Sequence, residues 1–210
     1  MRQQLARVEA EVALCRRCFG NEPRCPVRLE RPPGRARVLV LGERPPRATL
    51  DAEGRLGLSA TDATTRFLAE LVKAAGIPRG EVILGAATLC APRDREVERL
   101  VPLPVRIREC SGHVRELARA VQPRLIVPLG AAALRSVRAA FPEQAPLARL
   151  RFPSAVGRTV VAGAVFFHPL YHPSGRARLA RPPDQQHRDW HRVGMLWEWI
   201  ASGEAGPAPG

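Results

Sequence analysis

The spacing of apolar positions changes several times along the chain, and each change predicts an element. Residues 2–14 set Leu5, Val8 and Val12 at three- and four-residue intervals among charged neighbours, a short amphipathic helix. Residues 15–35 are rich in Cys, Pro and Arg, have no period and read as a loop. Arg37-Val-Leu-Val-Leu-Gly42 is an unbroken apolar run ending in glycine, the pattern of a buried strand. Helical spacing returns over 61–75 through Phe67, Leu68, Leu71 and Val72, with Gly76 as its stop. A second strand is expected from Val82 to Ala87, and residues 90–105, with three prolines, read as a loop. A helix over 106–121 is followed by a third strand, Leu125 to Leu129, and a helix over 131–140 after Gly130. Residues 147–163 read as irregular or hairpin-like. Val165 to Phe167 is the fourth strand, residues 184–201 are a closing helix, and 203–210 a disordered tail.

Strands that alternate with helices pair in parallel and are covered on both faces. The expected fold is a single-domain α/β/α three-layer arrangement over residues 1–202, with a central, mostly parallel four-stranded sheet. Such sheets bind ligands outside the carboxyl ends of their strands. The loops after Leu41, Ala87, Leu129 and Phe167 are therefore the ones that matter. Two of them hold unusual chemistry, Gly42-Glu43-Arg44-Pro45-Pro46 and His168-Pro-Leu-Tyr-His172-Pro-Ser174.

With 45% hydrophobic and 25% charged residues, the 210-residue chain has an ordinary globular composition. It contains no apolar run long enough to span a membrane. Arg2, Arg7, Glu9 and Glu11 interrupt the first residues, which argues against a secretory leader, so a cytoplasmic monomer is expected. The net charge of +13 draws the chain towards polyanions, nucleic acid first among them. Lys73 is the one lysine, and a genome's base composition also produces such arginine usage.

The five cysteines are Cys15, Cys18, Cys25, Cys90 and Cys110. An odd number in a cytoplasmic chain argues against a disulfide framework and for metal ligation. Cys15-Arg-Arg-Cys18 brings two thiolates to the spacing that converges on one ion. A redox dithiol is the other reading, though a helix rather than a strand precedes the pair. Cys25 is a third ligand or a buried free thiol. Zinc and an iron–sulfur cluster both accept four thiolates, and spacing does not choose between them.

The order of these features resembles the iron–sulfur uracil-DNA glycosylases, the family 4 and family 5 types. Cys15 and Cys18 are followed by Gly42-Glu43-Arg44-Pro45-Pro46, by Ala87-Thr-Leu-Cys90-Ala-Pro-Arg and by Arg108-Glu-Cys110. Leu125-Ile-Val-Pro-Leu-Gly130 and Tyr171-His172-Pro173 complete the series, which runs over about residues 12–200. The resemblance implies a structural 4Fe–4S cluster on Cys15, Cys18, Cys90 and Cys110, and it leaves Cys25 over. It also implies a hydrolase of N-glycosyl bonds in DNA, acting in base-excision repair on uracil or another deaminated or damaged base. A binding relative that recognises damaged or single-stranded DNA without turnover is the alternative.

On that resemblance His172 is the hydrogen-bond donor to a base carbonyl, and Glu43 the carboxylate that orients water or faces the sugar. His168-Pro169 repeats the dipeptide four residues earlier, but Tyr171 and Ser174 favour the second copy. A surface acid paired with Arg44 or Arg47 is the plainer account of Glu43. Gly42, Arg44, Pro45, Ala86, Thr88, Ser174, Arg176 and Arg178 are the implied base- and DNA-contacting positions, with Arg181 in the same basic loop. Leu179 is its one apolar wedge candidate. His187 and His191, four apart beside Trp190, have no third ligand and read as an ordinary helix face. Three positions depart from the family pattern. Pro46 replaces a glycine, Arg55-Leu-Gly-Leu-Ser59 lacks the aromatic that stacks on uracil, and Ala86 stands where an Asn reads the base edge. Thr88, Ser59 and Thr61 are the hydroxyls available in its place.

Overall fold

Val38 to Leu41 present an apolar side chain to both faces, so the strand they form lies in the middle of a covered sheet. The computed structural model describes residues 1–51, 54–59 and 62–203. A first helix, α1 (Arg2–Leu14), leads through β1 (Arg24–Pro26) and β2 (Arg28–Leu29) to β3 (Val38–Gly42). Then come α2 (Arg47–Asp51), β4 (Arg55–Leu56), α3 (Ala63–Ala74) and β5 (Val82–Ala86). They are followed by β6 (Cys90–Pro92), α4 (Arg95–Leu100), α5 (Leu103–Val121), β7 (Leu125–Pro128), α6 (Gly130–Ala140) and α7 (Ala145–Ala148). β8 (Val160–Ala162) and β9 (Val165–Phe167) form a hairpin, and α8 (Gly175–Arg178) and α9 (Pro183–Ser202) complete the described chain.

The central sheet has the order β5-β3-β7-β9-β8, and every pair is parallel except the β8/β9 hairpin. From β3 the chain steps to β5 on one side and later to β7 on the other. That reversal leaves a crevice at the carboxyl ends of β3, β5 and β7. The helices gather in two groups, α1 with α5 and α6, and α3 with α9. Leu5, Leu39, Leu41, Leu117, Ile126 and Trp190 are fully buried, each side chain contributing about 1.5–3 kcal/mol of hydrophobic stabilisation. Among the described residues no helix is long and apolar enough to cross a membrane.

The expected fold class holds, and the sheet has five strands rather than four. Its extra member is β8, inside the stretch read as irregular or hairpin-like; three residues at a sheet edge, one exposed, one half-buried and one buried, carry no readable period. The loop expected over 15–35 contains β1 and β2. The loop expected over 90–105 contains β6 and α4, and β1 pairs antiparallel with β6. Prolines prompted that second reading, yet Pro104 sits in the first turn of α5, where a missing N–H costs nothing. Asp94 caps α4 by accepting the Glu96 amide at 2.8 Å. The helix expected from 61 begins at Ala63, because Asp62 accepts the amides of Thr64 and Thr65 and so caps it. Gly203 ends α9 in the left-handed conformation, and the rest of the expected tail, 204–210, lies outside the described residues.

Two buried polar contacts fix the segment that leads to α9. Asp189, 2% exposed, accepts two hydrogen bonds from the Arg181 guanidinium at 2.8 and 2.6 Å, and Gln186 donates to the Arg181 carbonyl at 2.8 Å. Removing one partner of a buried pair costs about 3–5 kcal/mol. Arg181 is partly solvated, so Asp189→Ala is expected near the low end, about 3 kcal/mol by denaturant unfolding. A loss under about 1 kcal/mol would show that the pair does not hold this segment.

Candidate active site

The crevice is a cleft of about 700 Å³. Its floor is the strand ends Val40, Leu84, Gly85 and Leu129, and its rim comes from the loops after β3, β7 and β9 together with the start of α3. Gly42, Glu43, Arg44, Pro45, His172, Ser174 and Arg176, all singled out in the sequence, line it.

His172 is held from three sides. The Ser174 amide donates to its Nδ1 at 3.2 Å. A ring nitrogen that accepts has no proton of its own, so the neutral ring carries its hydrogen on Nε2. A Cβ built on Gly42 would lie 3.8 Å from that Nε2, which places the donor beside the Gly42–Glu43 turn. Beneath the ring, Gly130 has φ +83° and donates its amide to the Leu170 carbonyl at 2.8 Å. A Cβ there would sit 3.5 Å from the His172 Cβ on a backbone that other residues rarely adopt. Burial pushes the His172 pKa down, and the Glu43 and Asp62 carboxylates pull it back up. The ring is therefore neutral at physiological pH, a hydrogen-bond donor without a charge.

The other His-Pro copy has a different place. His168 is 3% exposed, lies outside the cleft lining and meets the Thr159 hydroxyl at 2.9 Å through Nδ1. Burial takes its pKa from 6.5 down to about 4, with Asp189 opposing and Arg192 assisting. Because the folded value is depressed, unfolding takes up a proton between those limits. The stability contributed by neutral His168 is complete above pH 6.5 and is lost as pH falls towards 4, about 3 kcal/mol in all. In His168→Gln the decline in unfolding free energy from pH 7 to pH 4 is expected to be shallower by that amount. Parallel profiles for the two proteins would contradict it.

Glu43 is half-buried at the end of β3, and its carboxylate pairs with none of the described residues. Its carbonyl accepts the Thr88 amide at 3.1 Å. The neighbouring Arg44 and Arg47 are engaged elsewhere. Arg44 donates to Glu98 at 2.8 Å, and Arg47 donates to the carbonyls of Pro92, at 2.7 Å, and Arg93. Glu98, buried on α4, also accepts from Arg106 at 2.7 Å, and these arginines hold its carboxyl below the usual range against the opposing effect of burial. Pro46 has a local reason as well. Its carbonyl accepts the Leu50 amide at 3.1 Å, so it opens α2, the helix that carries Arg47.

Three contributions to the cleft were not read in the sequence. Phe152 and Tyr171 line one wall with ring centroids 4.9 Å apart and planes at 66°. They supply aromatic surface that the Arg55–Ser59 stretch lacks; that stretch gives Leu56 instead. Tyr171 was legible only as a neighbour of His172, and Phe152, in the stretch without a period, had no local signal. Asp62 is the third, a second carboxylate in the lining, although the cap of α3 uses it. Its Oδ2 also accepts the Thr65 hydroxyl at 2.6 Å.

Ala86 and Thr88 lie under the wall rather than in it. Ala86 is fully buried opposite Gly42, and Gly85 takes the lining position. Thr88, 1% exposed, serves the Glu43 backbone. The Ser59 amide donates to Glu30 at 3.1 Å, and Thr61 lies outside the described residues. Arg178 packs its guanidinium 4.2 Å above the Phe67 ring and donates to the Pro173 carbonyl at 3.0 Å, away from the lining. Leu179 is 87% exposed at the end of α8. His187 packs edge-on against Phe67, and His191 is exposed.

Four of the five cysteines act on one another. Burial first, and then Cys110, Cys18 and Cys15, push the Cys90 thiol up to about 12, with Arg24 opposing. Cys18 is pushed up to about 11 by burial and then by Cys110 and Cys15, with Arg106 opposing. Cys110 is raised by burial and by Cys15, against a backbone hydrogen bond from Leu89. Cys25 belongs elsewhere, buried with Leu50 and Ala91. Among the described residues no group of three or more His, Cys, Asp or Glu is placed to hold a metal ion as it stands. The gathered donors are nevertheless four soft sulfur groups, suited to a thiophilic metal, and binding would require the raised thiols to lose their protons.

The family model described as the uracil DNA glycosylase superfamily matches residues 30–197, most of the chain and every residue of the cleft named above. No curated protein matches the chain.

Proposed function

From a chain that belongs to the uracil-DNA glycosylase superfamily, we propose a DNA glycosylase that hydrolyses the bond between a deaminated or damaged base and its sugar. The observation that carries this reading is a pair of groups in one cleft, the neutral His172 ring with its proton on Nε2 and the unpaired Glu43 carboxylate. The base is flipped into the cleft and lies against Phe152 and Tyr171. The Nε2–H of His172 donates to a carbonyl oxygen of the base, where negative charge grows as the N-glycosidic bond breaks. Glu43 orients a water towards the sugar and faces the developing positive charge. The water oxygen bonds to the sugar carbon, one of its protons passes by way of Glu43 to solvent, and the base departs with the electrons of the broken bond. Arg176, exposed on the rim, meets a phosphate, and Leu179 fills the space the base has left.

With Gly85 in the wall and Ala86 behind it, no side-chain amide reads the base edge from β5. A site built on such a contact rejects bases that lack it, so its loss favours a broad preference. The finer reading is the iron–sulfur branch. Cys15, Cys18, Cys90 and Cys110 would hold a 4Fe–4S cluster, whose chemistry here is structural cross-linking of the N-terminal segment to the Pro-rich segment; zinc is the alternative. The mutual influence of these four thiols and the separate burial of Cys25 support it.

The test is strand cleavage by alkali after protein purified without air has acted on end-labelled oligonucleotides. Each carries one uracil, hypoxanthine, xanthine or mismatched thymine. Cleavage at one or more lesions is expected. DNA binding without cleavage at any of them would favour the alternative, a relative that recognises damaged DNA without turnover.

A further inference from the structure

One stretch of the chain carries a marked excess of positive charge. Between Gln122 and Pro183 there are nine arginines and one acidic residue, Glu143. That acid is bonded to Arg115, which lies outside the stretch. Elsewhere arginines commonly have a carboxylate, as in Arg31–Glu9, Arg37–Glu81, Arg79–Glu30 and Arg106–Glu98. Of the nine, only Arg181 pairs with a carboxylate among the described residues, that of Asp189.

Three of the unpaired arginines are neighbours. Arg135 and Arg138 are three apart on α6, hence on one face of it. At 1.5 Å per residue they lie about 7.5 and 12 Å along the helix axis beyond Gly130 of the cleft lining. Arg151 precedes Phe152 of the cleft wall, and its guanidinium is anchored to the carbonyls of Ala148 at 2.5 Å and Leu150 at 3.0 Å. Burial and then the charges of Arg151 and Arg135 lower the Arg138 pKa, and the buried Nε of Arg138 has no partner. None of the three has an acidic partner among the described residues. Crowded like charges destabilise the free protein, and an anionic ligand relieves them.

We propose that Arg135, Arg138 and Arg151 form a phosphate-binding track that carries the nucleic-acid backbone away from the cleft on the Phe152 side. The substrate is then a polynucleotide that continues past the flipped base, rather than a nucleoside or short fragment. This rests on the glycosylase reading and adds the direction in which DNA leaves the site.

The experiment is the affinity of the full chain for a labelled 30-mer duplex across a salt series. Each phosphate contact adds about 0.9 to the slope of log K against log salt. The triple variant Arg135→Gln, Arg138→Gln, Arg151→Gln is expected to lose between about 2 and 3 of that slope. Arg135→Gln alone, at an exposed position, loses about 1 and serves if the triple variant does not fold. A control that removes as much charge elsewhere, Arg7→Gln with Arg99→Gln and Arg119→Gln, keeps the wild-type slope. A wild-type slope in Arg135→Gln and the triple variant overturns the track and leaves the glycosylase reading standing. An equal fall in the control also overturns the track, since net charge alone would then account for the binding. A wild-type chain with no salt-sensitive affinity for DNA overturns both.

Discussion

If Cys15, Cys18, Cys90 and Cys110 hold the proposed metal centre, Cys90→Ser and Cys110→Ser are expected to purify without metal and to unfold at a temperature lower by 10 °C or more, whereas Cys25→Ser is expected to keep both metal and stability to within a few degrees. Cys15 ends α1, Cys18 follows in the turn, Cys90 opens β6 and Cys110 lies on α5, so the four sulfurs join segments far apart in sequence. Without metal the thiols of Cys18, Cys90 and Cys110 are protonated, their pKa values raised by burial and by neighbouring thiols, and their packing alone contributes little. With metal the four sulfurs become a four-point cross-link, and structural metal sites contribute on the order of 10 kcal/mol to the domains that depend on them. Each degree of midpoint shift in a domain of this size reflects roughly 0.3–0.5 kcal/mol, so a loss of several kcal/mol is read directly in thermal unfolding. Metal analysis of the same samples gives iron and sulfide if the centre is a cluster, and zinc if it is not. Metal retained by Cys90→Ser but lost from Cys25→Ser would mean that the wrong four sulfurs have been assigned.

His172→Ala lowers the rate of base release by about 10²–10³-fold and leaves DNA affinity within a few-fold of the wild type. Removing one pre-positioned donor from a site where charge develops costs about that much, roughly 2.7–4 kcal/mol of transition-state stabilisation. The loss falls on the chemical step because the Nε2–H bond strengthens only as the base takes up charge. His172→Gln, whose amide can donate, recovers part of the rate. Acid acts on the same ring. Burial sets its pKa below the ordinary value, so the neutral donor persists through the physiological range. As pH falls through that lowered pKa, Nδ1 gains a proton and the Ser174 amide loses its acceptor. A rate in His172→Ala within a few-fold of wild type would remove His172 from the mechanism, whatever the fate of the glycosylase reading.

Local pattern carried part of this account and tertiary contact the rest. The β3, β5 and β7 segments were legible because apolar runs buried on both faces have no other use, and the placing of the loops after them followed from parallel connectivity. Local pattern also singled out His172 over His168, through Tyr171 and Ser174, and the fold puts His172 in the cleft lining and His168 outside it. The short strands β1, β6 and β8 were not legible. Two or three residues hold no period, and what forms them is pairing with a partner distant in the chain. Phe152 had no signal at all, since it reaches the cleft only because the segment after α7 returns across the carboxyl end of the sheet. The Glu98 cluster was hidden for a similar reason. Its acid and three arginines are ordinary charged residues until the fold brings Arg44 and Arg47 from the β3 loop against α4.

The reaction proposed for this cleft is release of a base from DNA by hydrolysis. The most direct measurement is mass spectrometry of one single-turnover reaction, with a lesion-containing oligonucleotide and excess protein. The expected products are the intact free base and a full-length strand lighter by the base and heavier by one hydroxyl, formed at the same rate and greatly slowed in His172→Ala. An unchanged oligonucleotide in a reaction where the protein has bound it, or a strand joined covalently to the protein with no abasic product, would contradict it.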